Sequence, residues 1–121
     1  MHDMFFMCQR VKKIDLSNVD TSSVTNMDNM FRECISLKEI NVSGFNTSNV
    51  RSMKGMFAFC QSLEKLDISN FNMSNVTSCN YMFFKCDALK VLYLPGSEKS
   101  DSHIKPEDYT GCKTLTRIIY K

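Results

Sequence analysis

Apolar and polar positions along the chain repeat every 26 residues, without insertions. The clearest column is cysteine, and an aromatic column and three aliphatic columns share its spacing. A fixed period of this length is typical of a solenoid, in which each unit buries its apolar side only against its neighbours. The sequence therefore predicts one repeat solenoid over residues 1–121 with about five units. The columns are Cys8, Cys34, Cys60, Cys86 and Cys112; Phe5, Phe31, Phe57, Phe83 and Tyr109; Val11, Leu37, Leu63, Leu89 and Leu115; Ile14, Ile40, Leu66, Leu92 and Ile118; and Leu16, Val42, Ile68, Leu94 and Tyr120.

Each unit contains two patterns that predict the two walls of the solenoid. Residues 40–42 (Ile-Asn-Val) alternate apolar and polar, which indicates a short strand with one buried face. Residues 50–60 space their apolar side chains at three and four, which favours one or two helical or 3₁₀ turns. Residues 46–49 (Asn-Thr-Ser-Asn) between them are typical of caps and turns. We therefore expect an α/β solenoid with stacked parallel strands on one wall and helical turns on the other.

The two ends of the chain depart from the regular unit. Residues 1–16 align with the middle of a unit, so we expect a truncated first unit and a chain taken from a longer array. Residues 95–121 keep the length of a unit but replace apolar columns with polar and turn residues up to Pro106, as a divergent C-terminal capping unit would. Strand edges exposed at the ends of a truncated array also predict self-association.

The consensus MFxxCxxLxxLxL, followed by SxFxTSxV, covers nearly the whole chain and is best preserved at residues 69–77 (SNFNMSNVT) and 81–83 (YMF). It resembles the BspA-like leucine-rich repeats of microbial surface proteins. The resemblance implies a leucine-rich-repeat fold, a cell-surface or secreted setting, and adhesion to host proteins, other cells or matrix. It implies neither an enzymatic activity nor a cofactor.

Charge and hydropathy exclude two classes of partner. The net charge is +2, from 15 basic and 13 acidic residues that are interspersed along the chain, which argues against nucleic-acid binding by bulk electrostatics. No apolar run approaches the roughly 18 residues that span a bilayer, and the first residues lack the pattern of a signal peptide. We therefore expect neither nucleic-acid binding nor direct membrane insertion.

The spacing of the cysteines and methionines favours a role in the core over a metal site or disulfides. Adjacent strands would bring neighbouring column cysteines within disulfide range, but side chains that all point the same way fit the near-90° disulfide dihedral poorly. A straight row also cannot supply tetrahedral zinc ligands. We therefore predict buried, reduced thiols and no metal. The methionine columns and Cys79 are interpreted as core in the same way (Met30, Met56 and Met82; Met27 and Met53).

The sequence offers no arrangement of residues suited to catalysis. Its two histidines are His2, near the start, and His103, in the polar stretch, and neither occupies a repeat position that would fix it beside a nucleophile. The four glycines are isolated, so no phosphate-binding loop is present. The sequence predicts a non-catalytic protein without a cofactor.

Outward-facing strand positions are where a protein partner would bind. One row runs Lys13, Glu39, Lys65, Val91 and Arg117, and its alternating charges suit pairing between neighbouring strands. Towards the C-terminus the two outward rows become apolar and aromatic, and the candidate partner-binding residues are Val91, Tyr93, Arg117 and Ile119. The same patch would also suit docking of a further domain or repeat.

Three functions are compatible with this surface. The first is a protein-binding or adhesion module on a microbial surface, with a protein or matrix ligand. The second is an intracellular interaction scaffold, because free cysteines suit a reducing compartment. The third is a structural spacer with no ligand of its own.

Overall fold

Five short strands recur at the 26-residue interval in the computed structural model, which describes residues 1–96 and 111–121. They are β1 (Lys13–Asp15), β2 (Glu39–Asn41), β3 (Lys65–Asp67), β4 (Val91–Leu94) and β5 (Arg117–Tyr120). Every strand pair is parallel, and each register advances by one repeat, as in Ile14 opposite Ile40 and Leu66 opposite Leu92. The predicted wall of short parallel strands is confirmed. Residues 97–110, which include His103, Tyr109 and much of the expected capping unit, lie outside the described residues.

The strand wall is divided into two hydrogen-bonded groups. One sheet contains β1 and β2, and the other contains β3, β4 and β5 in that order. Among the described residues, no ladder joins β2 to β3. This differs from the continuous stack that the sequence predicts, and the interruption lies in the middle of the wall.

Successive β-turns build the opposite wall, and no described residue lies in a helix. Met30 N donates to Met27 O (3.4 Å), and Cys34 N donates to Phe31 O (3.2 Å). The third residues of these turns, Asn29 and Glu33, have φ of 55° and 61°, as a type II turn requires. The expectation of helical or 3₁₀ turns is therefore not met, because a left-handed residue ends a right-handed helix at once.

Backbone amides of the turn wall bind the next coil instead of their own. Met27 N donates to Ser52 O (2.9 Å), Asn29 N to Lys54 O (2.8 Å) and Phe31 N to Met56 O (2.8 Å). The same pattern links the following coil, where Met53 N donates to Ser78 O (2.8 Å). Every second amide of the turn wall thus donates to a carbonyl of the next coil, whereas in a helix it would donate to the carbonyl four residues earlier in the chain. The turn wall is continuous where the strand wall is interrupted.

The repeated apolar columns form one core between the two walls. Phe31, Phe57 and Phe83 are fully buried, and their rings stack with centroids 5.3 Å and 5.9 Å apart. Stacked aromatic pairs contribute about 0.5–1.5 kcal/mol beyond the area they bury. The methionine columns and Cys79 are buried with them, which confirms their predicted place in the core.

The cysteine column has a specific structural role. Cys60 Sγ donates to Phe31 O (3.1 Å), and the same contact to the preceding coil recurs at Cys34 and Cys86. Phe31 O also accepts the Cys34 amide (3.2 Å), so both of its lone pairs are used. Cysteine fits this column because it is small, apolar and still a donor. All five column cysteines lie within the described residues and are free there.

Threonines and asparagines fix the loops that lead from strand to turn wall. Thr47 is buried, its Oγ1 donates to Asn72 O (3.1 Å), and it accepts the Asn72 amide (2.7 Å). Thr21 makes the same two bonds to Asn46 one coil earlier. These bonds satisfy loop backbone groups that strands and turns leave unpaired. The loops therefore stack in the same register as the two walls.

Candidate interaction surface

Four predicted binding residues come together on the last two strands. Val91 lies opposite Arg117, and Tyr93 lies opposite Ile119. Val91, Tyr93 and Ile119 are half-buried, and Arg117 is exposed. We call these four residues the β4–β5 patch. They form a contiguous outward surface of two aliphatic side chains, one aromatic ring and one guanidinium.

Two lysines that the sequence analysis did not place in the site flank Tyr93. Lys65 Nζ lies 5.2 Å from the ring centroid, and Lys121 Nζ lies 4.2 Å from it. Both distances are within the range of cation–π attraction. Lys65 could have been found from its outward row beside Val91. Lys121 follows β5 in the column that holds Ser17, Ser43 and Ser69, so the repeat pattern gave no signal for a lysine there.

Asp67 supplies a negative group beside this aromatic ring. Its carboxylate lies 3.5 Å from Lys121 Nζ and accepts hydrogen bonds from the Ser69 amide (3.0 Å) and hydroxyl (2.6 Å). Partial burial alone would raise the pKa of Asp67, but the bonds from Ser69 and the charge of Lys121 outweigh it and lower the pKa. Asp67 is therefore ionised at neutral pH and holds Lys121 close to Tyr93.

The outward rows change character along the wall. At its start, Lys13 Nζ and Glu39 Oε2 lie 3.3 Å apart, as the predicted pairing between neighbouring strands requires. Both side chains are more than two-thirds exposed, so this pair adds little stability. Lys65 continues the row but lies against Tyr93 instead of a carboxylate. The wall thus passes from paired charges to a mixed aromatic and cationic surface.

A cleft of about 470 Å³ opens between β2 and β3. Most of its lining residues are polar or charged, and the two apolar ones are Ile40 and Val42. Ile40 is partly buried, whereas its column neighbours Ile14 and Leu66 are only 7% and 1% exposed. The periodic pattern could not predict the cleft, because the columns on both sides of it are regular.

Aromatic residues also cluster on the outer surface of the turn wall. The ring of Phe84 lies 5.6 Å from that of Phe59 and 5.4 Å from that of Tyr81. Arg32 lies over Phe59 at 5.1 Å, and Tyr81 is 57% exposed. Sequence analysis missed this cluster because its positions differ in residue type from one unit to the next.

Residues 1–96 and 111–121 contain no group of three or more histidine, cysteine or acidic side chains placed to hold a metal ion. Within the same residues, no helix has the length and apolar character needed to cross a membrane.

Stacked parallel strands, one per 26-residue coil, define a leucine-rich-repeat-type solenoid. The crystal structure of a leucine-rich repeat protein from T. pallidum matches this fold with a TM-score of 0.52 and 20% sequence identity. The match covers 98% of this chain, which spans 60% of the length of that chain. Residues 1–93 match the family DUF285, described as Mycoplasma protein of unknown function, and the chain belongs to that family. Comparison with curated proteins finds no match.

Proposed function

We propose that the chain is a non-catalytic protein-binding module that binds its partner through the strand wall. The β4–β5 patch carries this proposal, because it combines a half-buried tyrosine, two aliphatic side chains and an arginine on adjacent strands. Tyrosine and arginine are enriched among residues that dominate binding energy at protein interfaces. A leucine-rich-repeat fold supports the same role, since its strands present a rigid, extended surface.

The setting of this module is proposed from its sequence resemblance. The BspA-like repeat pattern favours a microbial cell surface and adhesion to a host protein or to matrix. The reduced cysteine ladder also suits an intracellular scaffold, which is the second candidate. A spacer role would need no binding surface at all, and the experiment below separates it from the other two.

A pulldown from host-cell and extracellular-matrix extracts tests the module. The chain is compared with a patch variant in which Val91, Tyr93, Arg117 and Ile119 are all changed to Ser. We expect the parent to retain a partner that the patch variant loses, because truncating a central tyrosine or arginine removes about 2 kcal/mol or more at such sites.

A matched control makes the same change at the start of the wall. The equivalent outward residues of β1 and β2 are changed to Ser in a second variant, and both variants are checked for folding by circular dichroism (Lys13, Asp15, Glu39 and Asn41). Equal loss in both folded variants would remove the patch from the proposal. No enrichment by the parent would favour the spacer.

A further inference from the structure

Cationic side chains outnumber carboxylates on the face that carries the β4–β5 patch. Residues 64–69, 90–95 and 116–121 contain the last three strands and the positions beside them. The cations of these segments are Lys65, Lys90, Arg117 and Lys121, and the carboxylates are Glu64 and Asp67. The side chains of this face therefore have a formal charge of +2, from four positive and two negative groups.

Each carboxylate of this face already forms an ion pair with a lysine. Glu64 Oε1 lies 3.6 Å from Lys90 Nζ, and Asp67 Oδ2 lies 3.5 Å from Lys121 Nζ. All four side chains are partly exposed, so these pairs add little stability, but each one cancels a lysine charge. The carboxylates of the face therefore do not offset its two other cations.

Lys65 and Arg117 are the two cations that remain. Both side chains are exposed. Lys65 Nζ lies 5.2 Å from the centroid of the Tyr93 ring, a cation–π contact that leaves its charge in place. Within residues 1–96 and 111–121, no carboxylate lies within ion-pair distance of Lys65 or Arg117. The uncompensated charge beside the patch is therefore positive.

Strand register places these two cations on opposite sides of an apolar centre. Lys65 lies opposite Val91 on one side, and Arg117 lies opposite Val91 on the other. Neighbouring strands are about 4.8 Å apart, so two strand spacings, about 9.6 Å, separate the two cationic positions. Tyr93 and Ile119 extend the apolar centre in the next outward row. The surface therefore has a partly buried apolar centre and a cationic rim, the usual layout of a protein interface.

We propose that the β4–β5 patch binds an acidic segment of a partner protein in which two carboxylates flank an apolar side chain. The apolar side chain packs on Val91 and Tyr93, and the carboxylates pair with Lys65 and Arg117. A protein segment fits better than a polyanion such as a nucleic acid, because a polyanion would leave the apolar centre uncovered. This inference rests on the proposed protein-binding function and names its partner class.

Peptide selection on the whole chain tests the class of partner. The probe is a phage-displayed library of random linear heptapeptides, which are long enough because an extended chain advances roughly 3.3 Å per residue. We expect enriched peptides to carry acidic residues on both sides of an apolar one, and to bind more weakly as ionic strength rises. Enrichment of no peptide, or only of peptides without acidic residues, would overturn the proposal.

Competition with a heptapeptide of glutamate tests the apolar centre. This competitor offers carboxylates without an apolar side chain. We therefore expect it to displace a labelled enriched peptide about tenfold less effectively than the unlabelled peptide does. Equal displacement would show that charge alone is recognised, as for a polyanion, and would contradict the proposal.

Charge reversal locates the binding site. Lys65→Glu and Arg117→Glu are each expected to weaken the enriched peptides about tenfold. Lys12→Glu makes the same change in charge at an exposed position of the first coil and is expected to have little effect. Thermal unfolding shows which variants stay folded, and Arg117→Glu keeps the test decisive if Lys65→Glu disturbs Tyr93. An equal loss in Lys12→Glu would place the peptide elsewhere.

An exchange of charges shows whether the pairing is direct. An enriched peptide with one acidic residue changed to Lys is expected to bind the parent about tenfold more weakly. It is expected to regain affinity with either Lys65→Glu or Arg117→Glu, because opposite charges then meet again at one position. Recovery with Lys12→Glu, or with none of the three variants, would contradict direct pairing.

The pulldown separates failure of this inference from failure of the proposed function. A partner that the parent and both charge-reversal variants of the patch retain, and that the patch variant loses, leaves the proposed function standing and overturns the acidic segment. Absence of any partner in the pulldown counts against the proposed function. Peptide selection needs no extract, so it tests the acidic segment by itself.

Discussion

Cys34 and Cys60 are held as protonated donors by their surroundings. Burial raises the pKa of Cys34 to about 11, and burial likewise raises that of Cys60. The ladder therefore needs thiols, because a thiolate could not donate to the phenylalanine carbonyl of the preceding coil. This role could be predicted only in part from the sequence. Spacing predicted burial, but the bond from sulfur to carbonyl depends on how one coil is placed on the next.

Protonation of the ladder makes stability depend on alkaline pH. The unfolded Cys34 thiol ionises near its ordinary value of 9.0, whereas the folded one stays protonated to about 11. Between these values the folded state binds more protons, so the free energy of unfolding falls as pH rises through this window. Urea unfolding at a series of pH values from 8 to 11 measures this fall. We expect a shallower fall for Cys34→Ala, and an identical slope would show that the thiol does not contribute.

At the scale of a single element, stability depends on how closely adjacent coils can approach each other. In Gly44→Ala, the added Cβ would meet the Ser17 carbonyl at 1.9 Å, and the contacting atom is backbone that cannot turn away. We expect the variant to lose about 1–3 kcal/mol of unfolding free energy, as overpacked sites do. Urea denaturation measures the loss. Asn18→Ala changes the same column on an exposed position of the first coil, and a loss there as large as that in Gly44→Ala would contradict the steric explanation.

The strand wall could be predicted from alternation, but the turn wall could not be predicted from apolar spacing. Intervals of three and four fit a helix, and they fit two successive β-turns equally well. Conformation at a few positions decides between them, and the first column of positive φ contains Asp3, Asn29 and Gly55. These residue types tolerate left-handed backbone, so this column was an available signal. Tyr81 shares the conformation without that preference, and there the stacked neighbours determine the backbone.

The outward rows of the candidate site could be predicted from the sequence, but the side chains that contact those rows could not. Strand alternation placed Val91, Tyr93, Arg117 and Ile119 on the outer face, and the register brings them together. The lysine that lies closest to Tyr93, Lys121, comes from beyond the last strand. The cleft arises where a repeated bond is missing. Periodicity describes what units share, and these features come from what differs between them.

At the scale of the whole molecule, the first coil exposes three large apolar side chains. Met4 is 58% exposed, Phe6 41% and Met7 48%, while Met30, Met56 and Met82 in the column of Met4 are fully buried. The edge of β1 that faces away from β2 is unpaired among the described strands. Apolar surface beside an open strand edge favours association between chains. We therefore expect the 121-residue chain to form dimers or larger species as its concentration rises.

Light scattering over a range of concentrations measures this association. Changing Met4, Phe6 and Met7 together to Lys is expected to shift the chain to monomer, because charges at an edge block pairing. Added charge alone could also oppose association, so the control places three lysines at exposed positions away from these three residues (Ser23, Gln61 and Asn80). If the control dissociates as readily as the first-coil variant, general repulsion is the cause. A parent chain that stays monomeric at every concentration would remove the first coil as a contact surface and leave the strand wall as the place to look for partners.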